Sequence, residues 1–538
     1  MILFERQRHT AAPASAPVAP AGWQTLIHAF PGGNDTLHYT TDACSRLIHG
    51  PDWWLYAATP TGLDVFSALR ETLAQAREHG LDWLLDRLET LRPVAFVGAC
   101  ERRGTLYFGR SFDGFAALYF GTDSERLVVS NDLREVGRRL GGLRFSDADA
   151  ELWSQRLMLE PESSFYEGVR RCYAGVRYTA NPGHTAPGPR QFMAPAAALP
   201  PQPDPARQLT DGLRTLYTDY GNRKVALRLS GGVDSRVLLV GLMDAVRQGI
   251  LRKDQILCTS VAFPGFDCDE SPVIRQLIEV ADFEWARIEA TPDAVRHAYA
   301  ACLQLPAPPF PTSFIGALCA AESRARNASL ILTGHGGDEL FDFDQLDILG
   351  YPFWQRLRRL GQLRALRQSN GWLDEIKTAR RILLGRRNMP HVERDFQQHH
   401  LSSNATAMHR LGRRLVLARG VSYATAAAGV AAHGLRLDLP YFRGPFLDCM
   451  DPLHRRYDNK PPFKPVAQRY IGTHVPEFTC IPCRKVPFGP AVLALLPKND
   501  PKRDEVDSQR TLTYSSTKGL IDWRTAREAT DGSTHEQH

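Results

Sequence analysis

The hexapeptide Ser230-Gly231-Gly232-Val233-Asp234-Ser235 limits what this chain can fold into more than any other stretch. The apolar run Lys224–Leu229 before it reads as a strand, and Val237–Val246 after it as a helix. Two adjacent glycines at such a junction allow a sharp turn and a close backbone approach to a ligand. Successive N–H groups then face a phosphate at the positive end of the helix. Ser230 and Ser235 add hydroxyl donors. Asp234 would repel a phosphate unless a cation lay between them, so it is assigned to Mg²⁺. A glycine-rich turn with a serine cap is the plainer reading, and the full pattern in its strand–loop–helix setting favours the phosphate loop.

The surrounding pattern predicts a parallel sheet covered on both faces. Strands are expected at Ile256–Ala262 and Leu330–Thr333, and helices at Ser271–Ala281 and Thr312–Arg326. A second glycine-rich loop, Thr333-Gly334-His335-Gly336-Gly337-Asp338-Glu339, follows the strand at 330–333, about 100 residues after the first. Residues 350–435 read as mostly helical and rich in Arg and Leu. That basic stretch could shape a groove for a peptide, or be a solvated helix face.

The two loops resemble those of the ATP pyrophosphatase family, also called the adenine nucleotide alpha-hydrolase fold, and within it asparagine synthetase-type enzymes. Enzymes of this kind use ATP, release pyrophosphate and transfer AMP to a carboxylate. The resemblance implies adenine contacts from Leu229, Val261 and Gly334, backbone approach at Gly334 and Gly336, and Asp338 as a second Mg²⁺ ligand opposite Asp234. It places Glu339 in the catalytic set, although an acid at a helix start is the bland alternative. His335 stands where asparagine synthetases usually carry Glu and β-lactam synthetases a Tyr of a base dyad. It could take a proton from an attacking amine near neutral pH, or hydrogen-bond within the loop. Arg484-Lys485-Val486-Pro487-Phe488-Gly489-Pro490 resembles the family's R-x-K-x-x-F segment, where a lysine stabilises negative charge at the α-phosphate, and Lys485 is the match. The stretch Gly434–Asp448 resembles G-V-E-x-R-x-P-F-L-D-x-x-F-L-D, with acid and base exchanged. Arg436 stands where Glu is usual and Asp438 where Arg is usual. In the family these positions border the acceptor pocket, which implies a changed substrate or a compensating ion-pair swap.

Residues 23–185 read as strand-rich, with runs at Pro93–Val97, Thr105–Phe108, Ala117–Phe120 and Leu127–Val129 and one helix at about Leu63–Gln75. Gly109–Phe120 and Val128–Asp132 resemble segments of class II glutamine amidotransferases, which implies a degenerate four-layer αββα Ntn domain. That domain would precede a doubly wound, parallel-sheet ATP pyrophosphatase domain, so the fold class is α/β. An active glutaminase of this class uses an N-terminal cysteine. This chain begins Met1-Ile2-Leu3, and its first cysteine is Cys44, so glutamine is not the expected nitrogen source. The expected organisation is a flexible arm over 1–22, the degenerate domain over 23–185, a Pro/Ala-rich linker over 186–205, the synthetase domain over 206–496 and a polar tail over 497–538.

Composition excludes several classes. Ten cysteines in 538 residues are too sparse for a disulfide scaffold, and Cys480 with Cys483 makes only half a zinc site. Neither a signal-type apolar segment nor a run of 18 apolar residues occurs, so a cytoplasmic protein without a membrane partner is expected. A net charge of +6 suits a polyanionic substrate such as a nucleotide, and nucleic acid is not an expected partner. Among asparagine synthetase-like enzymes without a working glutaminase, the motifs most resemble lasso peptide macrolactam synthetases, which retain the Asp-Glu pair found here as Asp338-Glu339. That resemblance implies a precursor peptide as substrate, with a leader peptidase and a leader-binding protein as partners. A β-lactam-type or ammonia-dependent asparagine-type synthetase is the alternative.

Overall fold

The computed structural model describes residues 2–8, 24–30, 33–39, 45–58, 70–88, 95–110, 117–149, 162–173, 176–181, 184, 187–188, 191–192, 205–305, 313–337, 376, 426, 429–442, 464–483, 491 and 494–495. Asp338, Glu339 and Lys485 lie outside them, as do Cys44, the tail from 497 and nearly all of 350–425.

The N-terminal half is two antiparallel sheets stacked face to face. The first is built from β1 (Ile2–Arg8), β2 (Gln24–Phe30), β3 (Gly33–Tyr39), β8 (Tyr119–Thr122), β9 (Arg126–Ser130) and β10 (Val169–Arg171), in the order β10-β8-β9-β1-β3-β2. The second uses β4 (Ser45–His49), β5 (Trp53–Ala58), β6 (Ala95–Cys100), β7 (Thr105–Arg110), β11 (Val176–Ala180) and β12 (Gln191–Phe192), in the order β12-β11-β7-β6-β5-β4. Their inner faces share one core, with Phe4, Phe120 and Val129 from the first against Trp54, Phe108 and Tyr178 from the second. Successive strand residues point to opposite faces. Trp53 accordingly turns outward from the same strand as Trp54 and packs with Leu84 and Leu85 of helix α2 (Leu81–Leu88). Helix α3 (Leu133–Arg139) covers the other outer face through Leu133 and Val136. The result is the four-layer helix–sheet–sheet–helix arrangement that the resemblance implied.

Two expectations need correction here. The stretch taken as a flexible arm contains β1, a central strand paired in register with β3 (Phe4 opposite Leu37) and with β9 (Phe4 opposite Val129). Leu3 and Phe4 are fully buried, one on each face. The Pro/Ala run starts only after Thr10, and the boundary had been carried too far back. Within the linker expected over 186–205, Gln191 and Phe192 form β12, paired with Arg177 and Val176 of β11. Of the helix expected at about Leu63–Gln75, residues 63–69 lie outside the described residues, 70–75 fall in α1 (Arg70–His79), and α2 follows at once.

The C-terminal half is a five-stranded sheet, parallel throughout, of β13 (Val225–Arg228), β14 (Ile256–Ala262), β15 (Glu284–Glu289), β16 (Leu330–Thr333) and β17 (Arg436–Asp438), ordered β15-β14-β13-β16-β17. Helices α4 (Pro205–Thr218), α5 (Val233–Arg247) and α6 (Ser271–Ala281) pack on one face, and α7 (Pro292–Leu303) with α8 (Ser313–Ala325) on the other. The chain runs outward from β13 through β14 to β15, then returns to place β16 on the opposite side of β13. The order therefore reverses between β13 and β16, and in open α/β sheets ligands bind beyond the strand ends at such a point.

Because β1 is central to its sheet and Phe4 is fully buried, Phe4→Ala should destabilise the protein by about 3–5 kcal/mol. Urea unfolding followed by tryptophan fluorescence measures this, and a change near zero would mean that the segment is the loose arm first expected.

Candidate active site

Both glycine-rich loops leave the sheet at the reversal. Leu229 prolongs the ladder through its N–H to Thr259 O at 2.9 Å, and the chain then turns through Ser230–Gly232 into α5. Inside the turn the Ser230 and Ser235 hydroxyls lie 3.0 Å apart, and the Ser230 N–H donates to Ser235 Oγ at 3.1 Å. The Gly231 N–H points to a carboxylate, donating to Glu270 Oε2 at 3.0 Å. An anion therefore already sits at one donor of the turn.

The second loop presses directly on the first. A Cβ at Gly334 would stand 2.8 Å from the Ser235 nitrogen and 3.0 Å from Asp234 Cβ, and one at Gly337 would run into the Asp234 carboxyl group. Gly336 between them has φ +90°, in the left-handed region that favours glycine. Only a chain without side chains at 334 and 337 can close on Asp234 in this way.

Asp234 is also held from two further directions. Lys464 Nζ donates to Asp234 Oδ1 at 2.5 Å, with the lysine side chain 6% and the aspartate side chain 17% exposed. Tyr441 Oη donates to the Asp234 carbonyl at 2.5 Å. Burial, followed by the nearby charge of Asp234, holds the Tyr441 phenol well above its ordinary pKa, so it acts as a neutral donor. Neither Lys464 nor Tyr441 had been assigned a role from sequence. Tyr441 lay within a quoted segment, but Lys464 lies 230 residues from Asp234 and no local signal marks it.

The loops line a crevice of about 290 Å³. Its wall includes Leu229, Ser230, Gly232, Asp234, Ser235, Val261, Gly334 and Gly336, which are eight of the nine residues expected to contact the nucleotide. The ninth, Gly231, borders it through Glu270, which also lines the crevice. Thr333 and His335 complete that side, with Thr333 Oγ1 and His335 Nδ1 2.8 Å apart. Both proposed uses of His335 thus survive, since the ring bonds within the loop and also faces the crevice. Arg228, Phe263, Ile315 and Cys319 line it without having been predicted.

Asp438 behaves otherwise than expected. It is 1% exposed, accepts from Tyr220 Oη at 2.7 Å, and is not among the crevice-lining residues. Its carboxylate anchors β17 to the core through Tyr220.

The donor chemistry suits a hard cation only in part. The carboxylates of Asp234 and Glu270 and the hydroxyls of Ser230 and Ser235 give one oxygen-rich wall. Among the described residues no three His, Cys, Asp or Glu side chains gather as a metal cage, and Asp234 Oδ1 carries the Lys464 ammonium. Such a wall fits a magnesium ion brought in on nucleotide phosphates better than one bound by protein alone.

Residues 220–448 match the family model described as asparagine synthase. The matched stretch contains both loops, Asp234, Tyr441 and the whole parallel sheet. With this asparagine synthetase-like domain, the chain is an ATP-dependent amide-forming enzyme. Among solved structures, similarity extends to a glutamine phosphoribosylpyrophosphate amidotransferase from B. subtilis complexed with ADP and GMP. The identity is 11%, over 48% of this chain and 68% of that one, with a TM-score of 0.21. It extends also to an NAD⁺ synthetase from Burkholderia pseudomallei, at 15% identity over 51% of this chain and 88% of that one, with a TM-score of 0.19. Scores this low do not establish a shared fold. Curated proteins give no match. No helix among the described residues is long and apolar enough to cross a membrane.

Two outcomes are expected from this geometry. Gly334→Ala should lower stability by about 1–3 kcal/mol in thermal unfolding, because its Cβ meets backbone. Gly232→Ala should cost less, since its Cβ meets nothing nearer than Ser230 Oγ at 3.4 Å. Lys464→Met should cost about 1–3 kcal/mol by removing the ammonium that donates to the half-buried Asp234 carboxylate. Lys464→Arg should recover part of that loss in the same measurement.

Proposed function

We propose that the enzyme closes a macrolactam in a precursor peptide. An Asp or Glu side-chain carboxylate of the peptide attacks the α-phosphorus of ATP, and the bond to pyrophosphate breaks. The peptide's own N-terminal amine then attacks the acyl-adenylate carbon, the bond to AMP breaks, and the amine gives up a proton. The observation that carries this reading is the meeting of the two loops at Asp234, which lines one crevice with serine hydroxyls and His335 together.

Each residue has a stated task. The turn at Ser230–Ser235 and its hydroxyls hold the phosphates, while Leu229, Val261 and Gly334 flank the base. Asp234, with Asp338, would hold Mg²⁺, which supplies neutralisation of phosphate charge when bound. Glu339 belongs to the same loop and is assigned to the reacting end of the site. Lys485 is assigned to the charge that develops on the α-phosphate and on the tetrahedral carbon. His335 is assigned to the amine's proton. With Nδ1–H donating to Thr333 Oγ1, 2.8 Å away, Nε2 would be the nitrogen that takes the proton. Holding carboxylate and amine of one peptide together raises their effective concentration, the main need once the acid is activated. A leader peptidase and a leader-binding protein are the partners this reading requires.

Mass spectrometry of peptides made on co-expression with the neighbouring genes tests the proposal, with Asp234→Ala alongside. The expected product is a peptide lighter by one water, formed only by the intact enzyme, with fragmentation locating the bridged acid. AMP release with a free amino-acid derivative and no ring would instead favour the β-lactam-type or ammonia-dependent synthetase.

A further inference from the structure

Arg228 closes β13 and is half-buried on the crevice wall. Among the described residues it makes no hydrogen bond and no ion pair. Its guanidinium lies against helix α8, where a Cβ at Gly316 would stand 3.8 Å from Nη1. Ile315 and Cys319 of the same helix line the crevice. Burial raises the pKa of the Cys319 thiol, and the Arg228 charge is close enough to offset part of that rise. Among the described lining residues Arg228 carries the one permanent positive charge, while Asp234 and Glu270 are acids. A guanidinium has five N–H donors in a planar fork that matches the two oxygens of a carboxylate or phosphate. Here that fork is turned to the crevice with no protein acceptor among the described residues.

The reaction brings two kinds of anion into the crevice, the phosphates of ATP and the carboxylate to be activated. The phosphate cradle is the turn Ser230–Gly232 and the start of α5. Helices α5 and α8 pack on opposite faces of the sheet, so Arg228 reaches the crevice from the face away from the cradle. In the ladder Arg228 stands opposite Thr333 of β16. Neighbouring strands lie about 4.8 Å apart. Thr333 Oγ1 is in turn 2.8 Å from His335 Nδ1. An anion on Arg228 would therefore sit beside the residue assigned to the amine's proton. A carboxylate approaching a triphosphate is also opposed by like charge. A guanidinium on the carboxylate's side offsets that repulsion and fixes both oxygens.

We infer that Arg228 is a substrate-binding residue, which takes the carboxylate to be adenylated on its two-pronged fork and holds it beside His335. The inference rests on the acyl-adenylate route and the His335 role proposed above. It does not depend on whether the acid belongs to a peptide or to a free amino acid.

The test uses the full chain as wild type, Arg228→Lys and Arg228→Met. A side chain without protein hydrogen bonds is replaced at little cost, so Arg228→Met should melt within about 2 °C of wild type when no ligand is present. A much larger fall, or a failure to fold, would make Arg228 structural and overturn the assignment. Calorimetric binding of α,β-methylene ATP should stay within about threefold of wild type in both variants, since a screened charge away from the phosphate cradle contributes little. A loss well beyond that would assign the fork to a phosphate instead. The contact itself is read by a double-substitution cycle on enzyme loaded with this analogue. Its ligands are the peptide found by co-expression and the same peptide with the bridged acid changed to its amide. Wild type should bind the amide about 10- to 100-fold more weakly than the acid. In Arg228→Met the two should differ by less than about threefold, and Arg228→Lys should fall between, because an ammonium lacks the fork. Discrimination equal in wild type and Arg228→Met, or absent from wild type, would overturn the inference. If no ring forms and a free amino acid is the substrate, the macrolactam reading has failed, and the same cycle with that acid and its amide decides Arg228.

Discussion

The approach of the second loop to Asp234 is the contact on which the rest of this site depends. Gly334 and Gly337 leave no room for a side chain against the aspartate, so the two loops share one surface instead of flanking a gap. Once they are in contact, the serine hydroxyls of the first and His335 of the second face the same crevice. A substitution at either glycine would act on both loops, because the neighbour that must move is backbone or the half-buried Asp234 side chain. The parallel sheet makes this possible by leaving β13 and β16 adjacent, with their ends on the same side.

Distant segments then lock the arrangement. Tyr441 follows β17 and takes the Asp234 carbonyl, while Lys464 takes its carboxylate from the start of α9 (Pro465–His474). Lys464 itself has φ 55°, a left-handed conformation that costs a lysine of order 1 kcal/mol or more. That cost is offset where the ammonium donates to the Asp234 carboxylate. Arg236 adds the third tie, from the helix that the loop begins to the turn after α9. The first loop is therefore fixed by the C-terminal part of the chain as well as by its own strand and helix.

The sequence was informative where the cause is local. The strands at 256–262 and 330–333 and the helix at 271–281 coincide with their expected limits, because apolar period and capping lie within each segment. The residues expected around a nucleotide come together because loop chemistry and strand order act jointly. Strand β15 escaped notice for a local reason too. Its sequence Glu-Trp-Ala-Arg-Ile-Glu sits at the sheet edge and buries little, so no apolar run marks it. Lys464 and Arg236 escaped for a different reason, since their partners lie more than 200 residues away and no periodicity encodes such a pair. Gly337 and Tyr441 are legible in the sequence, since each stands inside a recognisable segment, Gly337 directly after Gly336.

The exchanged pair at 436 and 438 shows how a motif can mislead about chemistry while being right about place. The segment does lie beside the site, since Tyr441 within it reaches Asp234. Yet Asp438 is buried on Tyr220, a residue just after α4, and so its charge serves the attachment of β17 to the helical layer. A carboxylate so enclosed is held by what packs on it, and a substrate would have to displace the core to reach it. Arg228, half-buried at the end of β13, does line the crevice.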